Sequence, residues 1–279
     1  MEFLQRRRGL VEDRLATAVE RVEPPALAER LEHVALSEGK RVRPIVTLLV
    51  CEAAGGDPDD AVDFAAGVEL VHSASLVVDD IVDHSAVRRG VDSAWAAFGH
   101  GPAIIASDGL IGEAFALFGE DPRAMRVVTE AMVELGEGEA TELVDRPTTE
   151  REYMELARRK TGALFRAAAE LGALAADAEA VAVEAVGEYA ERVGVAFQIR
   201  DDVLDATGDD EHLGKPAGVD DALGRPSLVQ TTDLTPEHAT DRARHEADRA
   251  LAALDGADLD GEADGYLRDL AEFVVDRDR

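Results

Sequence analysis

The chain has 279 residues, 46% of them hydrophobic, enough for one large domain or two small ones. Its formal charge is −30 and Cys51 is its only cysteine, which excludes an internal disulfide and a cysteine-built zinc cage; nucleic acid is disfavoured as a partner because no basic face is evident. It has no uninterrupted run of about eighteen apolar residues, so no stable membrane insertion is expected, and Met1–Arg8 lacks the apolar stretch of a secretory leader, which makes the cytoplasm the expected location.

The apolar spacing is helical nearly throughout, with no convincing alternating strand. It predicts helices over about 9–21, 25–36, 41–54, 58–86, 92–98, 101–118, 122–145, 149–175, 178–207, 217–223, 226–231, 236–253 and 261–276, in one all-α domain covering 1–279. The first feature in chain order is Gly39-Lys40-Arg41-Val42-Arg43-Pro44, a dense cationic knot in an acidic chain. Lys40, Lys160 and Lys215 are the only lysines. An acidic, lysine-poor composition fits a proteome adapted to concentrated salt, where the Debye length falls to about 3 Å and self-repulsion is screened. Lysines that survive such adaptation are candidates for places that need a compact point charge.

Three acidic clusters share the pattern D-D-x-x-D. With 30 aspartates in the chain, about a third of one such match is expected by chance, so context must decide. Asp59-Asp60-Ala61-Val62-Asp63 follows the turn Gly55-Gly56-Asp57-Pro58 and reads as the acidic start of a helix. Asp79-Asp80-Ile81-Val82-Asp83 and Asp201-Asp202-Val203-Leu204-Asp205 instead follow the apolar runs Leu76-Val77-Val78 and Val195-Ala196-Phe197, unlike a solvated face. Residues four apart lie on one helix face, so each of these two clusters presents paired carboxylates. Facing each other, they would hold magnesium against a phosphate-bearing substrate.

Other residues fall into line with them. His72 precedes Asp79 by two turns, on one stripe with Leu76 and Asp83. Arg88 and Arg89 follow the first cluster, and paired arginines suit a diphosphate, which they grip bidentately. Lys160-Thr161 sits on a long apolar stretch, where a charge needs an anionic partner. Gln198 shares a face with Asp201 and Asp205, and Gly214-Lys215-Pro216 follows the second cluster. Gly208 is expected to end the helix that carries that cluster, and Thr235-Pro236 is a good helix start.

The order G-K-R-x-R-P, H-x6-D-D-x-x-D, R-R-G, K-T-x-x-L-F, F-Q-x-x-D-D-x-x-D and G-K-P, over residues 39 to 228, resembles the trans-isoprenyl diphosphate synthases of the polyprenyl synthetase family. The resemblance implies an all-helical bundle around a deep central cavity, and a homodimer. It implies Mg2+ as cofactor, with Asp79, Asp83 and Asp201 as leading ligands and Asp80, Asp202 and Asp205 acting through water or behind them. Lys40, Arg43, His72 and Arg89 would hold isopentenyl diphosphate. Arg88, Lys160, Thr161, Gln198, Lys215 and, with its charge kept, Arg225 would hold the allylic diphosphate (dimethylallyl, geranyl or farnesyl). The reaction implied is head-to-tail prenyl transfer, in which Asp79, Asp83, Asp201, Lys160, Thr161 and Gln198 carry the catalytic step.

Four segments depart from the family's pattern. Glu38-Gly39 stands for Gly-Gly, Gly138-Glu139-Ala140-Thr141-Glu142 for G-Q-x-x-D, Gly224-Arg225-Pro226-Ser227 for G-K-x-T, and Ser107-Asp108 for G-D. None removes a metal ligand. Ala74 and Ser75, under the first cluster, are small, which in the family's logic allows a geranylgeranyl or longer product, with Phe115 or Phe118 as a deeper floor. A salt-adapted archaeon would use such a product for its ether lipids. Two other readings are a non-catalytic partner subunit, disfavoured because both aspartate clusters are intact, and a terpene cyclase of similar fold, disfavoured by the retention of Lys40, Arg43 and His72.

Overall fold

The structure, a computed structural model, describes residues 2–145, 147–207 and 235–275. In chain order the described elements are α1 (Glu2–Glu20), α2 (Pro25–Ala35), α3 (Val42–Ala53), α4 (Pro58–Val82), a ribbon of β1 (Val87–Arg88) and β2 (Val91–Asp92), α5 (Ala94–Phe98), α6 (His100–Phe118), α7 (Pro122–Val144), α8 (Glu150–Ala157), a π-helical turn (Arg158–Gly162), α9 (Ala163–Ala175), α10 (Ala180–Thr207), α11 (Pro236–Leu254) and α12 (Gly261–Val275). The fold is all-α, as expected.

Helix starts follow local chemistry. Asp57 caps α4, its side chain accepting from the Asp59 N–H at 3.0 Å, with Pro58 in the first turn. Asp59 and Asp60 therefore sit in the opening turn, at the positive end of the helix dipole, and Asp63 pairs with Arg14 at 2.5 Å. The early acidic triplet is a helix start. Thr235 caps α11 by accepting from the His238 N–H at 3.4 Å, with Pro236 behind it.

Several local features differ from the sequence reading, the first being α1, which begins at Glu2 and not at about residue 9. The helix expected over 58–86 stops at Val82, and the chain turns into an antiparallel ribbon pairing Val87 with Asp92 and Arg88 with Val91. Its two turn residues, Arg89 and Gly90, have φ of 52° and 81°, the left-handed pair a two-residue hairpin needs. The helix expected over 149–175 is divided by the π turn, which carries Lys160 and Thr161. Among the described residues two helices, α4 and α6, are by average hydropathy long and apolar enough to cross a membrane, although isolated polar and acidic residues such as Glu69 and Asp108 interrupt the apolar run. The apolar window of α4 is 61% buried inside the fold, against 33% for α6. The helices expected over 217–223 and 226–231, the helix end at Gly208, and both Lys215 and Arg225 lie outside the described residues.

The two large apolar clusters of the core meet at α3 and α9, and a small third one joins Val77, Ala94 and Ala103. From α9, Phe165, Ala169 and Ala173 join a cluster with α10, α11 and α12, while Leu164, Ala168 and Leu171 join one with α4, α6 and α7. With apolar side chains on two faces, α9 lies between the two clusters, and its Arg166 and Glu170 are only half-buried. Since α9 packs on both α4 and α10, it sets the spacing between the helices that carry the two aspartate clusters.

Candidate active site

The first cluster occupies the C-terminal end of α4. Asp79 and Asp83 are half-buried, and Asp83 closes the helix, its N–H donating to the Asp79 carbonyl at 2.8 Å. Asp80 faces inward and is buried. Its Oδ1 accepts from Arg88 Nε at 2.9 Å and Arg88 Nη2 at 2.5 Å. The ribbon that the sequence reading missed is thus the device that swings Arg88 back onto the helix.

The cationic segment joins α2 to α3. Arg41, left-handed at φ 52°, is buried and donates to Glu69 Oε1 at 2.7 Å, the Ala35 carbonyl at 2.8 Å and the Ser37 carbonyl at 2.9 Å. Arg89 Nη2 reaches the same Glu69 oxygen at 3.4 Å. Arg43 lies over the Phe165 ring, 4.5 Å from its centroid, and its Nη1 is 3.1 Å from His72 Nε2. Burial, then the charges of Arg43, Arg89, Arg88 and Arg41, push the His72 pKa well below 6.5, so the imidazole is neutral. A guanidinium can only donate, so Nε2 is the acceptor and the ring proton sits on Nδ1. Burial also lowers Arg43, to about 10, where it remains charged at neutral pH. Lys40 is exposed beside this group.

The second cluster lies near the end of α10. Asp201 is half-buried, while Asp202 and Asp205 are buried. Both Asp202 oxygens are engaged: Oδ1 accepts from Gln198 Nε2 at 2.9 Å, and Oδ2 from the Tyr153 hydroxyl. Gln198 Oε1 in turn accepts from Thr161 Oγ1 at 2.8 Å. Burial and the adjacent Asp202 hold the Tyr153 pKa well above 10, so the phenol stays a donor. Lys160 Nζ pairs with Glu142 and, at 3.3 Å, with Glu139. Burial opposes its charge, but Glu142, Asp79 and Glu139 outweigh burial and keep the ammonium protonated. Glu139 is pushed up to about 7 by burial, with Lys160 opposing and Asp79 and Glu142 adding to the rise.

These neighbours join the two halves. Asp79 acts on Lys160 and Glu139; Glu142 acts on Lys160 and Tyr153; Asp201 acts on Tyr153. The π turn touches α7, α8, α9 and α10, and its contact with α7 sets Lys160 against Glu139 and Glu142. Widened turns of this kind are frequent at functional sites. Among the described residues no group of three or more His, Cys, Asp or Glu side chains is gathered tightly enough to hold an ion unaided. The donor set is all oxygen and half-buried, which fits magnesium, an ion that keeps several waters and takes one or two carboxylates plus substrate phosphate oxygens.

Arg41, Glu69, Tyr153, Glu139 and Glu142 were not picked out as site residues from sequence, although Glu139 and Glu142 stood in a departing segment. Only Glu69 left a signal of its own, as a lone acid in the apolar run Val68–Val71. Below the first cluster, Ser107 Oγ donates to the Ala74 carbonyl at 3.1 Å, so the Ser-Asp departure ties α6 to α4. Phe118 is fully buried against Gly67, where a Cβ would fall 2.4 Å from its ring, and so closes the core beneath this face. The Cys51 thiol, buried and raised to about 12, takes no part.

The profile of the polyprenyl synthetase family matches residues 24–255. A short chain isoprenyl diphosphate synthase from Methanothermobacter thermautotrophicus is 36% identical over 255 residues, covering 88% of this chain and 78% of the relative. The crystal structure of geranylgeranyl pyrophosphate synthetase from Pyrococcus horikoshii superposes with a TM-score of 0.91 at 31% identity, covering 99% of this chain and 98% of that one. A polyprenyl synthase from Caulobacter crescentus, solved with calcium and isoprenyl diphosphate, gives a TM-score of 0.86 at 29% identity, covering 100% of this chain and 95% of that one. Matching family profile, ordered motifs and shared fold agree: the chain belongs to the polyprenyl synthetase family.

Proposed function

We propose that the chain condenses isopentenyl diphosphate with an allylic diphosphate (dimethylallyl, geranyl or farnesyl) head to tail, giving a trans-polyprenyl diphosphate of geranylgeranyl length or similar. The observation that carries the reading is the π turn, whose Lys160 pairs with Glu139 and Glu142 and whose Thr161 is bonded through Gln198 to Asp202. Asp79, Asp83, Asp201 and Asp205 would hold Mg2+. Asp80 and Asp202, whose oxygens are taken by Arg88, Gln198 and Tyr153, would anchor the clusters. Bound magnesium supplies the Lewis acidity that lets the allylic carbon–oxygen bond ionise.

The chain's residues do the rest. Lys160, Thr161, Gln198, Arg88 and, outside the described residues, Lys215 and Arg225 would bind the departing diphosphate, as fixed donors aimed where negative charge develops. Lys160 exchanges its carboxylate partners for phosphate oxygens. Lys40, Arg43, His72 and Arg89 would grip isopentenyl diphosphate, with neutral His72 orienting Arg43 rather than adding charge. The alanine- and valine-rich helices exclude water from the growing tail. Ala74 and Ser75 leave room at the top, and the Phe118–Gly67 contact lies twelve residues before Asp79 on α4, about 18 Å along the helix.

We further place the chain in the cytoplasm of a salt-adapted organism, as one domain and as a homodimer. The part-exposed apolar helix α6, with Ile104 and Ile105 at its surface, supports the last point. The test is direct. Purified protein in molar salt with magnesium, isopentenyl diphosphate and each of the three primers should yield a product with the mass of geranylgeranyl diphosphate or a close neighbour. A chelator should abolish it. Failure to extend any primer would overturn the reading.

A further inference from the structure

Five cationic side chains, Lys40, Arg41, Arg43, Arg88 and Arg89, are crowded into the α2–α3 segment and the ribbon. Mutual repulsion contributes to the lowered pKa values of Arg43 and Arg89, after burial. Such a group must hold its shape before any anion arrives. The carboxylate at its centre is Glu69, on α4, only 1% exposed.

A buried acid beside a site for diphosphate should weaken binding unless its charge is consumed. It is consumed by Arg41. Its two terminal nitrogens donate to Glu69 and to the Ala35 and Ser37 carbonyls, all within the protein. Arg41 and Glu69 form a neutral pair, with both side chains 2% exposed, that locks the end of α2 and the cationic loop onto α4. Arg89 differs. It touches the same Glu69 oxygen through one nitrogen at 3.4 Å and keeps 18% side-chain exposure. Its guanidinium lies across Gly39, where a Cβ would come within 3.0 Å of Cζ. Glu69 on one side and the bare backbone of Gly39 on the other fix the plane of the Arg89 fork.

We propose that Glu69 is a positioning residue for the isopentenyl diphosphate half of the site: one oxygen neutralises Arg41 and orients Arg89. This rests on the prenyl transfer reading above, and adds to it a residue that touches no substrate. An uncharged Glu69→Gln leaves Arg41 uncompensated and lets Arg89 turn away. The expected signature is a KM for isopentenyl diphosphate raised about tenfold, the cost of misplacing one charge-assisted bond. The KM for the allylic primer should stay within about twofold and kcat within about threefold, since that half of the site is untouched. Glu69→Asp should recover part of the loss.

Gly39→Ala provides a second route, because it displaces Arg89 without altering Glu69 and meets only a flexible side-chain end. It should reproduce the selective rise even if Glu69→Gln fails to fold. Calorimetric binding of isopentenyl diphosphate separates this inference from the functional reading. A wild type that binds but never extends a primer sinks the function, and Glu69 is then judged on the binding constants alone. An unchanged isopentenyl diphosphate KM and binding constant in the folded variants, or an equal rise in both KM values, overturns the positioning role.

Discussion

The two aspartate clusters share a sequence pattern but are held by different physics. At the end of α4 the inward aspartate, Asp80, is gripped by a cation, Arg88, delivered from a hairpin. Near the end of α10 its counterpart, Asp202, is held by two neutral donors, Tyr153 and Gln198, from within the helical frame. An ion pair neutralises its carboxylate, while neutral donors leave the charge in place. The first anchor is therefore an ion pair, and the second includes hydrogen bonds from an amide and a phenol. In both clusters the middle carboxylate of D-D-x-x-D is buried and held by side chains from other parts of the chain or from its own helix.

The comparison can be broken in several ways, and the largest effect is expected at the outer carboxylates. Asp79→Ala or Asp201→Ala should lower kcat by about a thousandfold or more, since electrostatic help to the leaving group is lost. Helical circular dichroism should stay intact. Normal turnover in both would remove the metal-site assignment.

The anchors come next, and here the two regions should diverge. Asp80→Asn removes the carboxylate that pairs with Arg88 and should cost about 1–3 kcal/mol in chemical denaturation. Asp202→Asn keeps an acceptor for the Tyr153 hydroxyl and should cost about 1 kcal/mol or less. Tyr153→Phe leaves a buried carboxylate oxygen short of its donor, so it should destabilise by about 1–3 kcal/mol. Equal costs for the two asparagine variants would show that the anchors are not different in kind.

The smallest effect concerns pH. Glu139 has a folded pKa of about 7, raised from 4.5 by burial. Between those values the folded chain keeps a proton that the unfolded chain has released, so this residue's contribution to stability falls as pH rises from 4.5 to 7. Glu139→Gln should therefore melt about 2–4 °C above the parent at pH 8 and level with it at pH 5, in thermal scans without metal. An equal difference at both pH values would contradict the assignment. His72 works the other way. Its folded pKa is depressed, so its contribution is full above 6.5 and is lost as pH falls below that value.

Much of the fold was legible because helices announce themselves locally. Apolar spacing, Asp57-Pro58 and Thr235-Pro236 marked boundaries to within a few residues. The ribbon at 87–92 was not legible, since two-residue strands carry no alternation and Arg-Gly is not a strong turn signal. The π turn was equally hidden. One inserted residue leaves composition unchanged, yet it sets Lys160 against Glu139 and Glu142. At the site, the spacing of Asp79 and Asp83 or of Gln198 and Asp202 could be read from helical geometry. The partners Glu69 and Tyr153 could not, because they reach the site from 28 and 49 residues away in sequence, at Arg41 and Asp202 respectively.

The central claim is that two distant clusters serve one metal–diphosphate site, and a double-mutant cycle tests it most directly. Magnesium-dependent binding of an unreactive allylic thiolodiphosphate would be measured by calorimetry for the wild type, Asp79→Ala, Asp201→Ala and the double variant. A shared site predicts that the double variant loses little more than either single one, with strong coupling between the positions. Losses that simply add would mean the clusters act independently, and would contradict the account.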